Sequence, residues 1–193
     1  MPSVPLPAGV SRALTMLESA GFEAFIVGGC VRDALRGITP KDYDITTSAL
    51  PEETKSVFRD YRVIETGIQH GTVTVMMEGM PLEITTYRTE GTYSDNRHPD
   101  SVSFTASLRE DVARRDFTMN AIAYSPARGL IDHFGGAEDI RGGIIRCVGD
   151  PDTRFREDAL RMMRGIRFDD PDGLAYFERV LDTSGVITAL REA

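Results

Sequence analysis

Apolar residues recur at Val10, Leu14 and Leu17, a helical spacing that Gly21 ends. The run FEAFIV (22–27) predicts a short buried strand, and Gly28-Gly29 punctuates it before one or two helical turns that stop at Gly37. Residues 42–46 alternate and become β-branched, predicting a strand. Ser48 and Pro51 open a helix reaching Phe58, and Tyr61–Ile64 predicts another strand. GTVTVMME (71–78) and PLEITTYR (81–88) read as a hairpin split by Gly79-Met80. The polar residues 89–101 predict a long loop, followed by a helix over 107–120. AIAY (121–124), GLIDHF (129–134) and IIRCV (144–148) predict strands, with a helix over 136–142. From Thr153 onward the period is helical. Strands gathered early and helices gathered late give an α+β order: a mixed sheet with helices on one side over residues 1–150, then a helical segment over 151–193.

Composition changes this picture little. The 193 residues are 41% hydrophobic and 27% charged, an ordinary globular balance. The net charge of −8 argues against coating nucleic acid by bulk electrostatics. The charge is uneven, however: residues 141–168 hold seven Arg against Asp150, Asp152, Glu157 and Asp158. Cys30 and Cys147 show no metal spacing and read as reduced, buried thiols of a cytoplasmic protein. The N-terminal residues lack a secretory pattern, and no apolar run is long enough to cross a membrane. His70, His98 and His133 are scattered and read as surface or packing residues.

Four constellations carry candidate chemistry. Asp42 and Asp44 stand two apart on a predicted strand and so share a face, where each raises the other's pKa unless a cation intervenes. Mg²⁺ suits such a pair, often shared with substrate phosphates, and Glu83 on another strand is a candidate third carboxylate. A solvated strand edge is the plainer reading of a lone DxD. Gly28-Gly29, followed by Arg32 and Asp33, fits backbone and side-chain contacts to phosphate, although a bare Gly-Gly is usually a tight turn. Arg114, Arg115, Asp116 and Asn120 form a third group able to contact a triphosphate and a ribose hydroxyl; an exposed helix face with local ion pairs is the alternative. The fourth is Glu157, Asp158, Arg161 and Arg164, flanked by Arg154, Arg156 and Arg167. On one helix Asp158 and Arg161 share a face and can read a base edge that shows an amine beside a ring-nitrogen acceptor, as cytosine and adenine do. A surface salt bridge is the competing reading. A dinucleotide fold is excluded by the lack of GxGxxG.

Taken in order, IVGGCVRD (26–33), KDYDITT (41–47), LEITTYR (82–88), GTYSDNRHPDSVSF (91–104), RRDFTMNAIAY (114–124) and RFREDALRMMRGIRF (154–168) resemble the class II CCA-adding tRNA nucleotidyltransferases and the similar bacterial poly(A) polymerases. The resemblance implies a polymerase-beta-type palm followed by a short helical neck. It implies two Mg²⁺ ions on Asp42 and Asp44, with Glu83 as a third acidic residue, and catalysis by all three. Gly28, Gly29 and Arg32 would engage the triphosphate, and Arg114, Arg115, Asp116 and Asn120 the ribose and phosphates. Glu157, Asp158 and Arg161 would select CTP or ATP, with Arg164 beside them. The implied reaction adds CMP and AMP to the 3′ end of tRNA and releases pyrophosphate; poly(A) addition and a non-catalytic nucleotide- or RNA-binding remnant are the alternatives.

Two further expectations follow from the resemblance. Asp95, Arg97 and Pro99 stand in the loop that this family links to addition of the terminal A, which favours CCA or A addition over CC alone. The 25 residues after Phe168 resemble a later part of the family's neck or body, so an internal deletion is expected, against a trimmed or naturally minimal chain. A shortened neck implies weak base discrimination and weak tRNA affinity, and Phe155, Met162, Met163, Ile166 and Phe168 become apolar positions that a homodimer would bury.

Overall fold

The computed structural model describes residues 4–65, 67–94 and 99–167. The chain opens with helix α1 (Ala8–Ser19), whose Val10, Ala13, Leu14 and Leu17 form one buried stripe. Strand β1 (Ala24–Val27) is buried along its whole length, and α2 (Gly29–Leu35) follows at once. Then come β2 (Asp44–Thr47), α3 (Pro51–Val57), β3 (Arg62–Ile64), β4 (Thr72–Met77) and β5 (Met80–Thr86). The hairpin between β4 and β5 turns at Glu78 and Gly79, both with positive φ as a type I′ turn needs, so Met80 belongs to the strand rather than to the turn.

A short ribbon, β6 (Arg88–Glu90) with β7 (Val102–Phe104), pairs the two ends of the expected loop and takes only Thr89 and Glu90 from it. Helix α4 (Leu108–Ala113), β8 (Ile122–Ser125), β9 (Gly129–Asp132) and α5 (Gly136–Gly142) complete the sheet region. Helices α6 (Pro151–Glu157) and α7 (Leu160–Arg167) follow.

Seven strands form one sheet in the order β3-β4-β5-β2-β1-β8-β9. Only β2 and β5 run parallel; every other neighbour is antiparallel. The α+β class and the mixed sheet therefore stand. Alternation decides the faces: Ala24, Ile26, Ile45, Val73, Val75, Leu82 and Ile84 join the cluster under α1, α2, α3 and α5. Phe25 and Val27 point the other way, into a second cluster with Leu108 and Val112 of α4. One helix thus packs on the face otherwise left to polar residues, including Thr72, Thr74, Glu83 and Thr85.

Three expectations are corrected. The helix over 107–120 stops at Ala113, because Phe117 is extended and its N–H is taken by the Asp116 carboxylate at 2.7 Å; a 3₁₀ turn over Thr118–Asn120 follows. Residues 144–148 make a single bridge, Phe117 to Cys147, not a strand. Asp42 lies just before β2 rather than on it. The 25-residue tail and the deletion inferred from it lie outside the described residues.

Candidate nucleotide site

Gly28 ends the buried β1 and caps α2 with φ 81°, a conformation that glycine adopts freely. A Cβ there would also sit 3.1 Å from Arg115 Nη1, so the turn and the arginine approach each other closely. From α2, Arg32 donates through Nη1 to Asn120 Oδ1 at 2.9 Å and pairs with Asp33 at 2.8 Å. Asn120 in turn donates to Asp116 Oδ1 at 3.0 Å, and Arg164 approaches Asp116 Oδ2 at 3.5 Å. One polar chain therefore runs from the Gly-Gly turn to α7.

This chain borders a cavity of about 410 Å³ lined by residues from distant stretches. Gly28, Gly29, Arg32, Arg114, Arg115, Asp116, Asn120, Asp158, Arg161 and Arg164 all line it, so ten of the residues expected from sequence converge. Its size fits a small-molecule site, typically about 300–1,000 Å³. Glu157 stands behind the wall, where it accepts from Arg161 Nη1 at 2.6 Å and pairs with Arg154 at 3.1 Å.

The carboxylates Asp42, Asp44 and Glu83 are outside the cavity lining. Asp44 and Glu83 are direct partners in the parallel β2–β5 pair, so they lie side by side on the polar face. Asp44 is exposed as a residue, yet partial loss of hydration raises its pKa; Arg115 pulls it down, and Glu83 and Asp42 push it up. Arg115 is thus the link between the carboxylates and the cavity. Among the described residues no three His, Cys, Asp or Glu side chains form a ready-made metal cage. Two or three hard oxygen donors of like charge do fit Mg²⁺, which keeps waters and takes substrate phosphates as its remaining ligands.

Asp158 and Arg161 do not share one continuous helix. Asp158 is extended, ends α6, and accepts from Leu160 N at 2.9 Å to start α7. Both side chains are nevertheless buried at the cavity, 7% and 6% exposed. Arg161 Nη2 reaches Tyr93 Oη at 3.4 Å and the Arg114 carbonyl at 3.3 Å. Burial opposes its charge, but Glu157, Tyr93 and Asp158 more than compensate and raise its pKa.

Sequence reasoning missed Arg88, Glu90 and Tyr93 as cavity residues. Glu90 receives Arg114 at 2.9 Å, Arg88 at 3.3 Å and the Tyr93 hydroxyl. Burial alone would raise the Glu90 pKa; Arg114, Tyr93 and Arg88 bring it below the usual value. Asp111 was missed as well, although its spacing of three and four from Arg114 and Arg115 is a helical pairing signal. Pro99 lines the cavity, whereas Asp95 and Arg97 lie outside the described residues. Of the apolar positions named for a dimer, Phe155 packs on the Phe117–Met119–Ile145 cluster and Met162 is exposed; the side chains of Met163, Ile166 and Phe168 are not described. Cys30 and Cys147 are buried, and burial foremost pushes both thiols up to about 11.

The sequence pattern of the poly A polymerase head domain matches residues 24–146. The chain belongs to that family. This chain is 56% identical over 155 residues to a CCA-adding enzyme of Leuconostoc mesenteroides, covering 80% of this chain and 38% of that protein. It is 51% identical over 176 residues to a CCA-adding enzyme of Geobacillus thermodenitrificans, covering 91% of this chain and 42% of that protein. A solved structure of the Bacillus stearothermophilus CCA-adding enzyme in complex with CTP superposes with a TM-score of 0.75 at 48% identity, covering 83% of this chain and 38% of that one. The chain spans about two fifths of the length of the curated relatives it matches. No helix among the described residues is long and apolar enough to cross a membrane.

Proposed function

We propose that this chain is a nucleotidyltransferase head that adds CMP and AMP from CTP and ATP to the 3′ end of tRNA, completing CCA and releasing pyrophosphate. The observation that carries this reading is the single cavity shared by the Gly28-Gly29 turn, Arg32, Arg114 and Arg115 with Asp158 and Arg161. It joins a cationic, phosphate-sized end to an acceptor–donor pair suited to a base edge. The relatives' names, and the CTP bound by the Bacillus stearothermophilus enzyme, support the same reading.

Arg32, Arg114 and Arg115 hold the triphosphate, while Asp116 and Asn120 hold the ribose. Asp158 accepts from the exocyclic amine of cytosine or adenine, and Arg161 donates to the ring nitrogen beside it. Asp42 and Asp44, with Glu83 beside Asp44, would hold two Mg²⁺ ions, which stabilise charge on the phosphates and on the attacking oxygen. The 3′-hydroxyl gives up its proton to water as its oxygen bonds to the α-phosphorus, and the bond from that phosphorus to the bridging oxygen breaks, releasing pyrophosphate. The chain's own share is positioning and preorganised charge. A division near residue 150 into a head and a helical base-reading segment, and a cytoplasmic setting, belong to this reading.

The test is incubation with a tRNA lacking CCA and with an unrelated RNA, supplied with CTP alone, ATP alone and both together. CMP and AMP incorporated into the tRNA alone, and lost by roughly 10³-fold in Asp44→Ala, is the expected result. AMP added to both RNAs would identify poly(A) addition instead, and no incorporation would leave a binding module.

A further inference from the structure

Asp111 belongs to none of the motifs named above, yet it is completely buried in α4. A buried carboxylate is costly unless it is paired and hydrogen-bonded. Every one of its partners leads toward the cavity or the carboxylate strand. Oδ1 accepts from Arg114 Nε at 3.1 Å and from the Arg88 backbone N–H at 3.2 Å, and it pairs with Arg114 Nη2 at 3.1 Å. Oδ2 accepts from Thr46 Oγ1 at 2.9 Å and faces Arg115 Nη2 at 3.9 Å.

Thr46 is two residues beyond Asp44 on β2, hence on the same face of the sheet. Arg88 opens the ribbon that carries Glu90. Asp111 therefore ties two cavity arginines to the strand bearing Asp44. Arg114 and Arg115 are adjacent cations that repel one another. Without a charge between them, Arg114 retains only Glu90 and Arg115 only the pull of Asp44, and the two guanidinium groups, repelling each other, are no longer fixed in one arrangement.

We propose that Asp111 is the positioning residue of the phosphate-binding arginines, fixing Arg114 and Arg115 toward the cavity in register with Asp44. This rests on the reading of those arginines as triphosphate contacts.

The experiment titrates inorganic tripolyphosphate, and separately cytidine, into the metal-free protein in EDTA at fixed salt, with melting temperature as a check on folding. Asp111→Asn keeps the shape and removes the charge. Its affinity for tripolyphosphate is expected to fall about tenfold, near 1.4 kcal/mol, while its affinity for cytidine is unchanged. Unchanged tripolyphosphate binding by a folded variant overturns the assignment. So does an equal loss for cytidine, which would mark a general structural role. If Asp111→Asn does not fold, Thr46→Val decides: it keeps every charge and removes one tether, and a two- to threefold loss for tripolyphosphate alone is expected, with no change overturning the proposal. Wild-type protein that binds tripolyphosphate but adds no nucleotide to tRNA leaves the Asp111 role standing and removes the enzymatic reading. Wild-type protein that does not bind tripolyphosphate overturns the Asp111 role.

Discussion

The guanidinium carbon of Arg161 lies 5.8 Å above the ring centroid of Tyr93, and its Nη2 reaches the phenol oxygen at 3.4 Å. The opposite nitrogen, Nη1, is held far more tightly by Glu157 at 2.6 Å. Arg161 is thus anchored on one side and loosely latched on the other. Cation–π contact contributes about 0.5–1 kcal/mol at accessible sites, and a hydrogen bond about 0.5–1.5 kcal/mol. Tyr93→Ala should therefore lower the preference for CTP and ATP over UTP and GTP by roughly three- to tenfold, with Tyr93→Phe intermediate. Competition binding with the four nucleotides measures it; a preference equal to wild type in Tyr93→Ala would remove Tyr93 from base selection.

Gly28→Ala meets two obstacles at once. The φ 81°, ψ −132° backbone of Gly28 lies in a region almost confined to glycine and costs an L-residue about 1–3 kcal/mol, and the new methyl would press on Arg115 Nη1 at 3.1 Å. The expected outcome is a melting temperature lower by about 2–6 °C, together with weaker CTP binding. Gly37→Ala, at φ 74° but with nothing within 4 Å of its Cβ, should show the thermal loss without the binding loss.

Asp44 makes a pH prediction with a definite sign. Its pKa is raised in the folded chain, first by desolvation and then by Glu83 and Asp42, against the pull of Arg115. The folded state therefore holds this proton more tightly than the unfolded state does. The stability it contributes is complete below the ordinary carboxylate value and is lost as pH rises through the raised one. In EDTA, wild-type melting temperature should decline across that window, and Asp44→Asn should flatten the decline while abolishing incorporation. Adding Mg²⁺ at neutral pH should stabilise wild type more than Asp44→Asn. Parallel melting profiles for the two proteins would refute the assignment.

Gly136 is packed so tightly that a Cβ would fall on the Thr118 carbonyl. Thr118 also donates to the buried Asp139 at 2.6 Å, and the same turn carries Asn120 to the cavity. Gly136→Ala should cost about 3 kcal/mol or more. A melting temperature within 2 °C of wild type would show that α5 shifts freely, about 2–4 °C being expected per kcal/mol in a chain of this size.

The sheet was legible because alternation leaves few choices: Val73, Val75 and Met77 are buried, and Thr72, Thr74 and Met76 alternate with them only half-buried. The site was legible where a motif carries its own geometry, as Gly28 does. What failed was continuity. Periodicity ran straight through Asp116 and Asp158, but each of these carboxylates takes a nearby backbone N–H and ends the helical path there. Glu90, Tyr93 and Asp111 escaped notice for a different reason: each also has a partner distant in sequence, Arg114, Arg161 and Thr46 respectively, that only folding brings near.

Asp158 both closes α6 and starts α7. The residue assigned to sense a base is thereby the pivot between two rods. Arg161 rides on the second rod, while Glu157, the anchor of its guanidinium, ends the first. A base edge held by both Asp158 and Arg161 would therefore span the joint between α6 and α7, so the fit of the base would rest on the angle between the two helices.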